Sequence, residues 1–276
     1  MAPGRGAAGT GGAPARRGGL LRALLAALAL ALLARATVAE PFAVPGGSMA
    51  PTLLEGDVVA VSRLAYGVKL PFSGLTLLPF TSPRRGDVVV FSDPRDRSRR
   101  MVRRVIGLAG DVVELREQRL FIGGVAQPRL DGGEFSYDEH DQASATPRSD
   151  TCRRFREMLA LGRQAGDVEE GPERQAAAWS RAAAAGVMGH DLLQCRRVRA
   201  GRGEGPFGPV RPGHLFVLGD NRDRANDGRD GGWQVPVEEV VGRVSLVAWS
   251  WGRGGWWFGA SAGPGVRIDR LLKPVE

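Results

Sequence analysis

Residues 20–39 are apolar except for Arg22 and Arg35, and that run constrains the chain more than any other feature. At a rise of about 1.5 Å per residue it reaches about 30 Å, the thickness of a bilayer's hydrocarbon core. No polar face interrupts it, so a helix packed on a soluble core does not fit. One reading is an anchor whose terminal arginines snorkel to the headgroups. The other is a cleavable signal peptide, with residues 23–34 as its apolar region and Thr37-Val-Ala39 as a small-residue cleavage site. Arg5, Arg16 and Arg17 precede the run and favour a cytoplasmic N-terminus, with the remainder on the far side. Residues 1–18, rich in Gly, Ala, Pro and Arg, show no apolar periodicity and read as a disordered tail. The anchor is taken as 19–39.

Beyond Pro45 the pattern is strand-like. Asp57-Val-Val-Ala-Val-Ser62, Asp87-Val-Val-Val-Phe91 and Met101-Val-Arg-Arg-Val-Ile106 are short β-branched runs bounded by Gly, Pro and Asp. Residues 111–121 alternate well enough for a strand pair closing at Gly123-Gly124. Residues 214–218 and 241–249 complete the set. This predicts a mostly β, antiparallel catalytic-type domain assembled from residues 40–127 and 213–276. Residues 128–212 are polar and poor in β-branched residues, and read as an insertion of α-helical or irregular character. Two stretches within it, 153–161 and 173–185, have the composition of short helices. The C-terminal run Trp249-Ser-Trp-Gly-Arg-Gly-Gly-Trp-Trp-Phe258 is dense in aromatics. It fits a membrane-interface patch, since an indole joins an apolar ring to a polar N–H, or a hairpin whose rings fill a core.

The formal charge of +8 is almost wholly arginine, since only Lys69 and Lys273 are lysines. A codon bias toward arginine accounts for much of that. No zinc-finger spacing, helix-turn-helix or RNA-binding signature accompanies the charge, so no nucleic-acid partner is expected. A basic surface facing anionic lipid fits better. The two cysteines, Cys152 and Cys195, both fall in the insertion. Outside the cytoplasm they would form a disulfide, or they are unpaired thiols. Neither has metal-ligand spacing, and no metal or cofactor is expected.

Four segments carry chemistry. Ser48-Met-Ala-Pro-Thr-Leu-Leu-Glu-Gly-Asp57 places a serine at a Gly-rich bend. Arg85-Gly-Asp-Val-Val-Val-Phe91, Arg103-Arg-Val-Ile-Gly-Leu-Ala-Gly-Asp111 and Gly219-Asp-Asn-Arg-Asp223 with Asp227, Arg229 and Trp233-Gln-Val-Pro236 follow in order. Together they resemble the boxes of the bacterial type I signal peptidase (leader peptidase) family. Arg35-Ala-Thr-Val-Ala-Glu-Pro-Phe42 is similar to that family's exit from the membrane, which favours the anchor reading. The resemblance implies a serine endopeptidase, single-pass in the bacterial inner (plasma) membrane, with an extracytoplasmic β domain. It implies removal of signal peptides from exported precursors after small residues at the first and third positions. Signal peptides and membrane lipid are then the partners. Ser48 falls at the nucleophile, Asp227 and Arg229 at a structural ion pair, and Phe42, Val44, Pro45, Met49 and Val102 beside a groove where peptide adds as a strand. A self-cleaving repressor with a related site is disfavoured, because such proteins carry a DNA-binding domain where this chain has its apolar run.

Several positions depart from that pattern. The family's general-base lysine falls at Arg103, beside Arg104. Burial can bring a lysine to neutrality, but arginine starts at about 12.5–13.8 and stays charged. Lowering it to about 7 would require about 8–9 kcal/mol. Gly46 replaces a serine that often donates to the oxyanion, where one donor is worth about 10²–10³ in rate; the Ser48 N–H remains. Ala225 replaces a serine that supports the lysine. Lys69, Lys273, His140, His190 and His214 are the other candidate bases, with His214 expected to be structural. The alternative function is therefore a catalytically impaired homologue that binds signal-like peptides intact.

Overall fold

A computed structural model of the chain describes residues 22–25, 39–69, 76–139, 148–159, 177, 179–180, 184, 187, 189–195, 203–253 and 264–275. The chain divides into two units, Met1–Val38 and Ala39–Glu276. In the first, residues 22–25 are helical, and the rest of the expected tail and anchor lies outside the described residues. Among the described residues no helix is long and apolar enough to cross a membrane. Ala39, expected to end the anchor, already opens a strand.

In chain order the strands of the second unit begin with β1 (Ala39–Ala43), β2 (Asp57–Ser62), β3 (Gly67–Lys69), β4 (Thr76–Pro79), β5 (Val88–Asp93) and β6 (Asp96–Gly107). There follow β7 (Val113–Arg116), β8 (Arg119–Ile122), β9 (Val125–Ala126), β10 (Arg129–Glu139), β11 (Arg148–Met158) and β12 (Gly189–Cys195). The last are β13 (Gly205–Phe207), β14 (His214–Leu218), β15 (Val235–Pro236), β16 (Val240–Arg253), β17 (Pro264–Val266) and β18 (Lys273–Pro274). The main sheet runs β1-β2-β16-β5-β6-β14-β15, with β17 and β18 also on β16. All its pairs are antiparallel, as the alternating runs predict. Residues of β2 alternate buried and half-buried, whereas Val88 to Phe91 of β5 are buried without a break, as befits a strand covered on both faces. Pro41 sits in β1, an edge strand, where its missing N–H leaves no gap in a ladder.

Long strand β16 spans both β2 and β5, with register shifts at Val244/Leu246, Val247/Trp249 and Val240/Gly242. Bulges of this kind bend a strand and sharpen its twist. The sheet curls far enough that Glu40 of β1 pairs with Arg100 of β6, although three strands separate them in the sheet order. Inside the curl, Val44, Met49, Leu53, Val59, Val61, Val88, Val90 and Val102 form one core cluster. Across the sheet Val89, Phe91, Val105, Leu215 and Val217 form another.

Three expectations are corrected. Residues 153–158 belong to strand β11, not a helix, and the insertion is built on a three-stranded antiparallel sheet, β10-β11-β12. The composition suits a helix, but the pairing of Cys152 with Cys195 and of Phe155 with Leu192 overrides that weak preference. Ala177, Trp179, Ser180 and Ala184, from the second helix-like stretch, are helical. The strand pair of residues 111–121 turns at Glu117-Gln118, both at positive φ, and Gly123-Gly124 instead joins β8 to β9. Such paired left-handed residues match the twist of a two-residue hairpin. Cys152 and Cys195 form a disulfide. Of the aromatic run, Trp249 and Trp251 are exposed, their rings 5.6 Å apart, with Ile268 and Leu272 also exposed; residues 256–258 lie outside the described residues.

Asp57 ties the start of β2 to the C-terminal segment. Fully buried, it accepts from the Leu54 N–H at 2.8 Å and from Ser250 Oγ at 2.6 Å, and pairs with Arg270. Arg270 reaches on to the Thr52 carbonyl at 2.9 Å. Removing one partner of a buried pair strands the other charge. Asp57→Ala is expected to destabilise the chain by about 3–5 kcal/mol, read as the shift in urea unfolding.

Candidate active site

The turn that carries Ser48 is fixed from both sides. Gly46 is extended, and Gly47–Met49 form a single 3-10 turn. Met49 and Ala50 are wholly buried, which pins the turn to the core and leaves Ser48 half-buried beside it. Amides that open a helical turn have no acceptor within it, so the turn itself does not take up the Ser48 N–H.

Strand β6 passes the other side of this turn. Successive residues on a strand face opposite ways, and Arg103 and Arg104 divide accordingly. Arg103 Nη1 donates to Ser48 Oγ at 2.8 Å. Its remaining hydrogen bonds go to backbone carbonyls: Nη1 to Val102 at 2.6 Å, and Nε and Nη2 to Asn226 at 3.0 and 2.6 Å. Among the described residues Arg103 makes no ion pair. Burial pushes its guanidinium down to about 10, with Asp227 opposing and Arg229 and Arg95 adding to the fall. At that value about one molecule in 10³ is neutral at pH 7. Arg103 is therefore a cationic donor to Ser48 Oγ at neutral pH, not an acceptor of its proton.

Arg104 turns to the opposite face and forms a bidentate pair with Asp220, Nε to Oδ1 at 2.8 Å and Nη2 to Oδ2 at 2.7 Å, both side chains 1% exposed. Thr52 Oγ1 donates to Asp220 Oδ2 at 2.6 Å, and Arg104 Nη1 to the Gly86 carbonyl at 2.8 Å. Burial alone would raise the Asp220 carboxyl, but Arg104 holds it below its usual range. The pair thus joins the segments after Ser48, at Gly86, on β6 and after β14. Gly219 leads into this loop because nothing larger fits: a Cβ there would stand 2.2 Å from Ala225 Cβ and 2.6 Å from the Ser48 carbonyl oxygen.

Asp227 and Arg229 meet below the site, Arg229 Nε to Oδ1 and Nη2 to Oδ2 both at 2.8 Å, and Asp227 also accepts from the Gly219 N–H at 3.0 Å. Asn221 stands at the centre. Its backbone N–H donates to the Ser48 carbonyl and its amide to the Gly47 carbonyl, each at 3.1 Å. Asp220 and Asn221 lie inside the downstream motif, so that motif was the available signal. Arg104, the partner of Asp220, lies in the third motif as well, whereas Tyr137 gave no signal of its own.

No alternative base reaches Ser48 among the described residues. His190 lies 4.0 Å from Asp220 and 3.8 Å from Glu157, with the Arg104 cluster and away from Ser48. His214 Nδ1 is 2.9 Å from the Pro212 carbonyl. Lys273 is exposed on β18. His140 and the side chain of Lys69 lie outside the described residues. Of the expected groove positions, Pro45 is exposed and Phe42 half-buried, while Val44, Met49 and Val102 have their side chains in the core. What those segments present is backbone: among the described residues β1 is an edge strand, and the β14 pairing of β6 stops at Arg104, leaving Arg100 to Val102 without a strand neighbour on that side.

Ser48 thus stands on a pinned turn with a guanidinium against its oxygen and, among the described residues, two open strand edges alongside. Residues 17–249 match the family model described as signal peptidase, peptidase S26. The chain is 32% identical over 238 residues to signal peptidase I of Pseudomonas fluorescens, covering 81% of this chain and 69% of that protein. It is 29% identical over 238 residues to signal peptidase I of Rickettsia typhi, covering 83% and 79%. A crystal structure of a signal peptidase I from Enterococcus faecalis, 24% identical, covers 60% of this chain and 99% of that one at a TM-score of 0.28. The chain belongs to the signal peptidase family of serine peptidases.

Burial holds the His190 imidazole well below its ordinary value, and Arg104 lowers it further. A histidine kept neutral when folded takes up a proton only when unfolded as the pH falls below about 6.5. Its contribution to stability is complete above that pH and is lost on acidification. Unfolding free energy is expected to drop between pH 7 and 5 with a slope of up to about 1.4 kcal/mol per unit, and His190→Gln to flatten that slope in urea titrations.

Proposed function

We propose that this chain is a membrane-bound signal-peptidase-type endopeptidase that acts on the signal peptides of exported precursors, with Ser48 as nucleophile and Arg103 limiting its turnover. The contact of Arg103 Nη1 with Ser48 Oγ carries the reading: it joins the residue at the family's base position to the serine of the nucleophile motif. The open edges of β1 and β6 suit an extended peptide added as a strand. Asp227 and Arg229 support the loop beneath. The apolar run at 20–39 supplies the anchor, with its N-terminus cytoplasmic and the β unit on the far side of the plasma membrane. Exposed Trp249 and Trp251 suit the lipid interface.

The same contact favours a second reading. A guanidinium that donates to Ser48 Oγ keeps the hydroxyl protonated, and neither Gly46 nor Ala225 brings a hydroxyl to the site. The groove then binds signal-like peptides and releases them uncut.

Purified full-length protein with a secretory precursor separates the two. Wild type is expected to cleave weakly at pH 7, and Ser48→Ala to abolish what remains. Arg103→Lys is expected to raise cleavage by about 10²–10⁴, the range of a positioned general base. Adding Gly46→Ser should give up to about 10² more, since a Cβ at Gly46 meets nothing within 4 Å. A wild type that binds the precursor and never cleaves it supports the second reading. An Arg103→Lys variant slower than wild type would show that the lysine position does not limit this enzyme.

A further inference from the structure

Asn221 is held at three points, and one of them belongs to the insertion. Its side chain is wholly buried. One amide N–H donates to the Gly47 carbonyl at 3.1 Å and another to the Tyr137 hydroxyl oxygen at 2.6 Å. The Gly47 carbonyl can only accept, which fixes the amide's orientation. The backbone N–H of Asn221 takes the Ser48 carbonyl. Asn221 therefore uses all its donors, two on the turn that carries Ser48 and one on strand β10 of the insertion.

The insertion is seated on that turn by packing as well. Tyr137, Cys152 and Leu193 bury against Ala50, with Leu54 and Phe135 alongside. Leu193 of β12 forms a parallel bridge to Asn221: its N–H meets the Asp220 carbonyl at 2.8 Å, and its carbonyl receives the Arg222 N–H at 3.0 Å. The Cys152–Cys195 disulfide crosslinks β11 to β12 at their paired positions, so the strand beside β10 is tied to the strand that docks on the loop. The chain segments that hold Ser48 and the insertion thus share one hydrogen-bonded junction.

We propose that Tyr137 is a positioning residue for Ser48, acting through Asn221. This rests on the reading of Ser48 as the nucleophile. The Tyr137 oxygen satisfies an amide proton that would otherwise be buried unpaired. An unpaired buried donor costs more than the hydrogen bond contributes, so Asn221 would rotate or draw in water, releasing the Gly47 carbonyl. The Ser48 carbonyl and the Ala50 N–H, which also bonds the Gly47 carbonyl at 3.1 Å, would loosen together. The insertion then sets the geometry of the nucleophile turn without touching peptide.

Amide hydrogen exchange on the full-length chain tests this without requiring cleavage. In Tyr137→Phe the amides of Ala50 and Asn221 should exchange about tenfold faster, as the loss of one ordinary hydrogen bond allows, while those of β5 keep their wild-type rates. Phe135→Leu, which disturbs the same cluster and keeps the hydroxyl, should leave Ala50 and Asn221 near wild type. In the Arg103→Lys background Tyr137→Phe should lower kcat about tenfold with KM unchanged, the mark of a displaced nucleophile rather than a lost groove. Unchanged exchange in Tyr137→Phe, or an equal rise in Phe135→Leu, overturns the proposal. If neither wild type nor Arg103→Lys cleaves while Tyr137→Phe exchanges faster, the functional reading of Ser48 fails and the junction stands.

Discussion

The buried pair of Arg104 and Asp220 fixes what surrounds the site. It draws one side chain of β6 toward the loop after β14, gathers Thr52 and the Gly86 carbonyl, and so joins all four chemistry-bearing segments at one point. A strand offers successive residues to opposite faces. Once Arg104 is committed to Asp220, Arg103 has to project the other way, onto Ser48. A register slip of one residue along β6 would exchange the two arginines and lose both arrangements.

The consequence for chemistry is electrostatic. Arg103 is buried among backbone carbonyls and a hydroxyl, with no carboxylate in contact among the described residues. That environment lowers its affinity for a proton, yet not to neutrality near pH 7. A lysine in the same place would lose its charge more readily, because its compact ammonium depends more on water. Carbonyls that receive a guanidinium in fixed geometry oppose deprotonation in the same degree that they hold it in place. The turn of Ser48, the ion pairs beneath it and the open edges thus surround a guanidinium at position 103.

The insertion belongs to this account. Its strands cover Asn221 and Ala50, and His190 sits with the Arg104 cluster. Among the described residues His190 Nε2, Glu157 Oε1 and two Arg222 nitrogens are buried there without a hydrogen-bond partner. Buried polar atoms of this kind are ordinarily satisfied by ordered water. The face of β6 behind the site is thus polar and tightly charged, while on the other face Arg103 projects toward Ser48.

The sequence by itself determined the antiparallel β class, since alternation at period two and Gly-bounded runs survive without any partner. It also determined the identity of the residues at Ser48 and Arg103, because those sit in contiguous motifs, and the family that the motifs indicate. Only the tertiary structure decided the rest. Residues 153–158 became a strand because a crosslinked partner lay beside them, which composition could not express. Arg103 and Arg104 are neighbours of one type in the sequence, and their separate fates depend on which face of β6 meets Asp220, more than a hundred residues away. Asn221 and Tyr137 are linked by a bond across 84 residues that no local pattern encodes. Local propensity and motif are read along the chain, whereas burial, charge pairing and the positioning of a hydroxyl are properties of groups that meet only when the sheet curls.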